Sequence, residues 1–160
     1  MRLEIHAVGR LKPGPERELA ERYLDRLARA GGAVGLEYGG TTEHAESRAR
    51  TPAQRAREEA GKLLADVAGG SALIALDERG RNVDSAAFAK LLGGWRDSGR
   101  GAVALVIGGP DGLDETVRNA ADRTLSLGAM TWPHQIVRLL VAEQLYRAVT
   151  ILSGHPYHRA

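Results

Sequence analysis

Apolar residues along this chain switch between a period near two and a period near four, and the switches predict its elements. Leu3, Ile5 and Ala7 alternate with polar or small neighbours, which predicts a first strand. Pro15 opens a helix with Leu19, Tyr23, Leu24 and Leu27 on one stripe, and Gly31-Gly32 is expected to end it. Residues 33–38 predict a short second strand, and residues 39–50 one long loop carrying Thr41, Thr42, His44, Ser47, Arg48 and Arg50. Thr51-Pro52-Ala53-Gln54 has the form of a capping box with proline at the first helical position, so a helix should run to about Ala68. Residues 71–77 and 102–107 are nearly unbroken apolar runs, as in strands buried on both faces. Between them, Asp84 or Ser85 caps a helix that turns Phe88, Leu91, Leu92 and Trp95 inward. A helix from Asp114 to about residue 123, a short strand at 124–127 and a helix over 134–152 complete the chain. Strands alternating with helices predict an α/β domain with a largely parallel sheet, spanning residues 1–160 as one unit.

The last helix is apolar on more than one side. Placed at about 100° per residue, Val137, Leu139, Val141, Ala142, Leu145, Tyr146, Ala148 and Val149 form one broad arc. Ile136, Leu140 and Ile151 lie near the opposite side, around Glu143, Gln144 and Arg147. Such a helix is usually sandwiched between its own core and a second body, for which another subunit is the simplest candidate. Arg138 falls within the broad arc, either snorkelling from the first turn or delivering a guanidinium to a site. Glu143 and Arg147 are spaced to pair.

Composition narrows the class. The 160 residues contain no cysteine, which excludes disulfides and thiolate metal sites and fits a reducing cytoplasm. The first residues, with Glu4 among them, do not read as a secretory signal, and no apolar run approaches membrane-spanning length. There are 22 Lys+Arg against 20 Asp+Glu, and nearly all the cations are arginine, the residue suited to bidentate phosphate contacts. Arg48, Arg50, Arg55 and Arg57 form either a solvated helix entry or a phosphate-contacting rim.

Three segments carry candidate chemistry. Gly108-Gly109-Pro110-Asp111-Gly112 follows a strand and precedes a helix, where glycines let a ligand approach the backbone. It lacks both the dinucleotide spacing and the phosphate-loop lysine. Residues 127–132 are nearly uncharged and offer main-chain groups around Gly128, in a manner suited to reading an adenine. The tail, Gly154-His155-Pro156-Tyr157-His158-Arg159-Ala160, holds two of the five histidines, with a phenol and a guanidinium, around a proline that cannot continue the helix. His134 beside Pro133 reads either as a helix cap or as a catalytic group. His155 and His158 have no acidic partner nearby, so no metal site is expected.

In this strict order, the glycine-proline loop, Leu125-Ser126-Leu127, Thr131 with Pro133-His134, Arg138, residues 143–148 and the tail resemble the ribosomal RNA large-subunit methyltransferase H family. That family is of the SPOUT class of S-adenosylmethionine-dependent methyltransferases. The resemblance extends over nearly the whole chain, including residues 5–9, and is weakest between about Gly31 and Arg57. It implies a C-terminal trefoil knot, a homodimer, and methylation of N3 of a pseudouridine in helix 69 of 23S ribosomal RNA, on assembled ribosomes. It places the cofactor against Leu76, Gly108, Gly109, Leu127, Gly128, Ala129, Met130, Thr131 and Trp132. A branched side chain at Gly108 should fill the cofactor's space. The tail then meets the substrate, with Arg159 and Arg147 at phosphate or developing negative charge, and His158 or Tyr157 at the proton. A single subunit need not hold a full site, since a tail can complete its partner's. Another RNA base, or a non-catalytic RNA-binding module with the same fold, is the alternative; cofactor binding separates the latter.

Overall fold

The computed structural model describes residues 1–158. Five strands, β1 (Arg2–Val8), β2 (Glu37–His44), β3 (Ala72–Asn82), β4 (Ala102–Ile107) and β5 (Arg123–Ser126), form one sheet in the order β2-β1-β4-β3-β5. Every pairing is parallel. The helices are α1 (Pro15–Ala30), α2 (Pro52–Asp66), α3 (Ser85–Asp97), α4 (Glu115–Ala120) and α5 (His134–Ser153).

The apolar run of β4 is explained by burial on both faces. Val103, Leu105 and Ile107 join a core with Leu3, Ile5, Leu27, Phe88, Leu92, Leu145 and Val149, beneath α1, α3 and α5. Ala104 and Val106 join a second core with Val8, Ala60, Leu63, Leu73 and Val117, beneath α2 and α4. Thr51 caps α2 by accepting the Gln54 amide, and Asp84 caps α3 by accepting the Ala87 amide. Each such cap contributes about 1 kcal/mol. Gly154, in the left-handed conformation, ends α5.

Three expected boundaries move. Helix α1 itself ends at Ala30 with Gly31 as its cap, as expected, and a 3₁₀ turn over Gly31–Val34 follows, stopped by Gly35 at φ 70°. The second strand is therefore not residues 33–38 but Glu37–His44, so the first half of the expected loop is an edge strand. Strand β3 continues past Asp77 to Asn82, with an irregularity between Leu76 and Arg81 where it re-pairs with β5. Helix α4 stops at Ala120 rather than near residue 123, because Ala121 turns extended and the Asp122 carboxylate accepts the Leu73 amide at 2.8 Å. No helix among the described residues is long and apolar enough to cross a membrane.

Candidate cofactor cavity and C-terminal cluster

The carboxyl ends of β3, β4 and β5 converge on two adjoining cavities of about 270 Å³ and about 390 Å³. They share Leu76, Leu125, Ser126, Leu127 and Trp132 as walls. Of the expected cofactor contacts, Leu76, Gly108, Gly109, Leu127, Gly128, Met130, Thr131 and Trp132 line the first cavity. Ala129 does not; it is exposed beside it. Residues not anticipated also line it: Asp77, Glu78, Arg79, Asp111, Leu113 and Arg118, with His134 and Val137 from α5. Leu140, Val141 and Gln144 continue the α5 contribution into the second cavity.

Local bonds fix these walls. The glycine loop closes through the Gly112 amide donating to the Gly109 carbonyl at 2.9 Å. A Cβ on Gly108 would lie 2.8 Å from the Gly112 backbone, and one on Gly109 would lie 2.7 Å from Glu59 Oε2. Gly108 is thus required by the loop's own closure, a correction to the expectation that a side chain there would fill ligand space. Arg55 grips the loop from α2 through Asp111, at 2.6 and 3.0 Å, and donates to the Ala49 carbonyl. That hydrogen bond from Arg55 holds the Asp111 carboxyl below its ordinary value. Arg55 is thereby taken out of the arginine patch and made part of the loop's support. Asp77 pairs with Arg118 at 3.3 Å, and Arg118 also donates to the Leu113 carbonyl. On the opposite wall, Ser126 Oγ accepts the Gly128 amide and donates to the Gly128 carbonyl, while Trp132 Nε1 donates to the Leu127 carbonyl.

The donor set fits S-adenosylmethionine. Leu76, Ile107, Leu125, Leu127 and Val137 give the cavity apolar walls of the kind an adenine requires, and Gly108 and Gly109 carry no side chain there. Asp77, Glu78, Asp111, Arg79 and Arg118 bring both signs of charge to the same cavity, as a sulfonium with a zwitterionic amino acid requires.

The tail forms a separate cluster. Arg147 donates to Glu143 Oε1 through Nε at 2.8 Å and Nη2 at 2.6 Å, and its guanidinium lies 4.8 Å from the Tyr157 ring centroid. The Tyr157 hydroxyl donates to the same carboxylate oxygen at 3.1 Å and lies 3.2 Å from the Tyr23 hydroxyl. Burial, then the hydrogen bonds with Tyr23 and Glu143, push the Tyr157 phenol well above its ordinary value. Its ring meets Tyr146 edge-on at 5.0 Å. His158 Nδ1 lies 3.4 Å from Arg147 Nη1. Arg159 lies outside the described residues.

Among the described residues, tail and cavity do not meet within one chain: none of His155, Tyr157, His158 or Arg147 lines either cavity. Arg138 neither snorkels nor enters the cavity. It is buried, donating to Glu43 Oε1 at 2.6 Å and to the Gly9 carbonyl at 3.3 Å, and so ties α5 to the ends of β1 and β2. Burial pushes the Glu43 carboxyl up, but the Leu11 amide and Arg138 outweigh it and hold it below its ordinary value. His134 is the first residue of α5 and makes no capping bond; Pro133 precedes it as the cap residue.

The parallel sheet, with a glycine-proline loop and an uncharged loop meeting over one cavity, fits an S-adenosylmethionine-dependent methyltransferase of the SPOUT class, and the family comparison shows that class. The family model described as "Predicted SPOUT methyltransferase" matches residues 1–158. The Ribosomal RNA large subunit methyltransferase H of Rhizobium etli is 63% identical over 159 residues, covering 99% of each chain. That of Rhizobium meliloti is 62% identical over 160 residues, covering both chains in full, and that of Chelativorans sp. is 60% identical over 99% of this chain and 91% of its own. The chain belongs to the ribosomal RNA large subunit methyltransferase H family. A crystal structure of a probable methyltransferase from Bordetella pertussis shares the fold, with a TM-score of 0.53 at 18% identity over 92% of this chain and 95% of that one.

Proposed function

We propose that the protein methylates N3 of a pseudouridine in helix 69 of 23S ribosomal RNA, on assembled ribosomes, as a cytoplasmic homodimer of one 160-residue domain. The observation that carries this reading is the cavity beneath the glycine loop in a chain that matches, end to end, relatives named for large-subunit ribosomal RNA methylation. In this reading the last third of the chain threads through a loop as a trefoil knot at the cavity. Convergence of residues 108–113, 125–132 and the first turns of α5 on one cavity supports it. Methylation of ribosomes from a strain lacking the activity, with mass mapping of the modified base, tests the substrate.

When bound, S-adenosylmethionine supplies a methyl group already activated by its sulfonium. The protein's own contribution is position: the walls described above orient that group, and the rate gain comes mainly from holding the nucleotide in line with it. The imide must also lose its N3 proton. A phenol raised above its ordinary value stays protonated at neutral pH, so Tyr157 acts as a stacking surface and anchor. His158 is then the proton acceptor, the remaining basic side chain of the described tail beside Arg147. Arg147 and Arg159 stabilise phosphate or negative charge on the base. Tyr157→Phe keeps the stacking ring and loses one hydrogen bond to the Glu143 carboxylate, so it should lower transfer by roughly 10–100-fold and leave the pH profile in place. His158→Gln should lower it by about 10²–10⁴-fold, the usual contribution of a positioned general base. A phenolate mechanism would invert both results.

Separation of the described tail residues from the cavity within one chain supports a site shared between two subunits. Exposed Met130 and Trp132, with Ile136 and Leu140 only half-buried on α5, offer an apolar surface for the second copy. Each leucine-sized side chain buried there contributes roughly 1.5–3 kcal/mol. Sedimentation at micromolar protein should give about twice 17.1 kDa. A mass of one chain would remove the shared site.

A further inference from the structure

A second cluster lies on the opposite half of the sheet. His6 on β1 pairs in register with Thr42 of the parallel strand β2, and Val8 pairs with His44. His6 and His44 are therefore diagonal neighbours on one face. That face is covered by α2, whose last residue is Asp66. One donor atom from each of His6, His44 and Asp66 lies within 4.8 Å of the other two.

Imidazole nitrogens here are enclosed without hydrogen-bond partners. The His6 side chain is only 5% exposed, and both its ring nitrogens are enclosed without a hydrogen-bond partner. His44 Nε2 is likewise enclosed and unpartnered, although it lies 3.2 Å from Asp66 Oδ2, close but not aligned as a hydrogen bond. Glu4, two residues before His6 on the same face, brings Oε2 to 3.7 Å from His6 Nε2. Enclosed polar atoms nearly always have a partner, and two imidazoles whose nitrogens lack one, beside the Asp66 and Glu4 carboxylates, suit a cation between them.

We infer that His6, His44 and Asp66 bind one divalent transition-metal ion of the zinc type, with Glu4 or a water completing the shell. Two imidazoles and a carboxylate suit zinc and its neighbours, whereas calcium and magnesium favour oxygen donors throughout. Tetrahedral zinc with bonds of about 2.0–2.1 Å needs its ligand atoms about 3.3 Å apart. His44 and Asp66 are already at that spacing, and the His6 nitrogen, within 4.8 Å of both, has at most about 1.5 Å to close. The Asp66 side chain is 45% exposed, which leaves an entry path. The site is structural: it sits on β1 and β2, at the far side of the sheet from the β3–β5 cavity, and staples the polar edge strand to its neighbour and to the end of α2. It does not depend on the reading of the methyl-transfer reaction.

The test uses the full chain, stripped with a chelator, dialysed and titrated with zinc chloride by calorimetry, with thermal unfolding read alongside. The expected result is one zinc per chain and a rise in unfolding temperature that grows with free zinc. His44→Ala and Asp66→Asn should each weaken zinc binding at least about tenfold. S-adenosylmethionine affinity in the same variants reports that they are folded. The His155→Ala/His158→Ala double variant should keep zinc binding. The inference falls if zinc does not bind stoichiometrically, if His44→Ala and Asp66→Asn bind it as wild type does, or if the tail histidines are what it needs.

Discussion

Removal of residues 155–160 should abolish methyl transfer to ribosomes, by at least about 10²-fold, while S-adenosylmethionine binds as before. The tail begins past the Gly154 cap, so no helical hydrogen bond of α5 beyond its last turn is lost. Its described contacts are with Tyr23, Glu143, Tyr146 and Arg147, and none of its described residues lines the cavity. Fold and cofactor site should therefore survive, and the loss should fall on turnover alone, as for an interaction made only in the transition state. Label transfer to ribosomes, with calorimetry on the same preparation, separates the two quantities. Wild-type transfer by the truncated protein would leave the aromatic cluster a packing feature and nothing more.

Gly108→Val should weaken S-adenosylmethionine binding by about 10–100-fold, equivalent to about 1.4–2.8 kcal/mol. The cause is loop distortion. A Cβ at this position already lies 2.8 Å from the Gly112 carbonyl carbon and oxygen and 3.0 Å from Leu113, so the closed turn must open to admit any side chain. Opening it also pulls on the Asp111–Arg55 pair. Because the clash is local and β4 itself is unaffected, the variant should remain folded by far-ultraviolet circular dichroism. An unchanged affinity in that folded variant would place the cofactor elsewhere.

How far such features can be read from residues alone depends on where the stabilising interaction lies. Strand β4 and helix α5 were legible because burial on two faces, or on a broad arc, is written directly as apolar residues. Strand β2 was not. Its sequence, Glu37–His44, has no apolar alternation and includes Gly39-Gly40, because it is held by main-chain bonds to β1 at the sheet edge. Losing β2 as a strand also hid its register, and with it the approach of His44 to His6. In the cavity, the glycine loop and residues 127–132 were visible as local composition. The pairs that brace them, Arg55–Asp111 and Asp77–Arg118, join residues 56 and 41 positions apart, and no local pattern announces them. The tail's chemistry was visible, but its placement against Tyr23 and Glu143 instead of the cavity is a matter of tertiary packing.

The two margins of the sheet bear on how copies of this chain can associate. One margin is β5, only four residues long; the other is β2, charged, rich in glycine and kinked where its pairing with β1 shifts between Leu3 and Glu4. Neither presents a long, flat row of free main-chain groups, so neither recruits a strand from another molecule. Assembly through a continuous intermolecular sheet is thereby blocked at both ends. Two copies must meet through helices and loops, and a concentrated solution of the folded protein should resist growth into fibres.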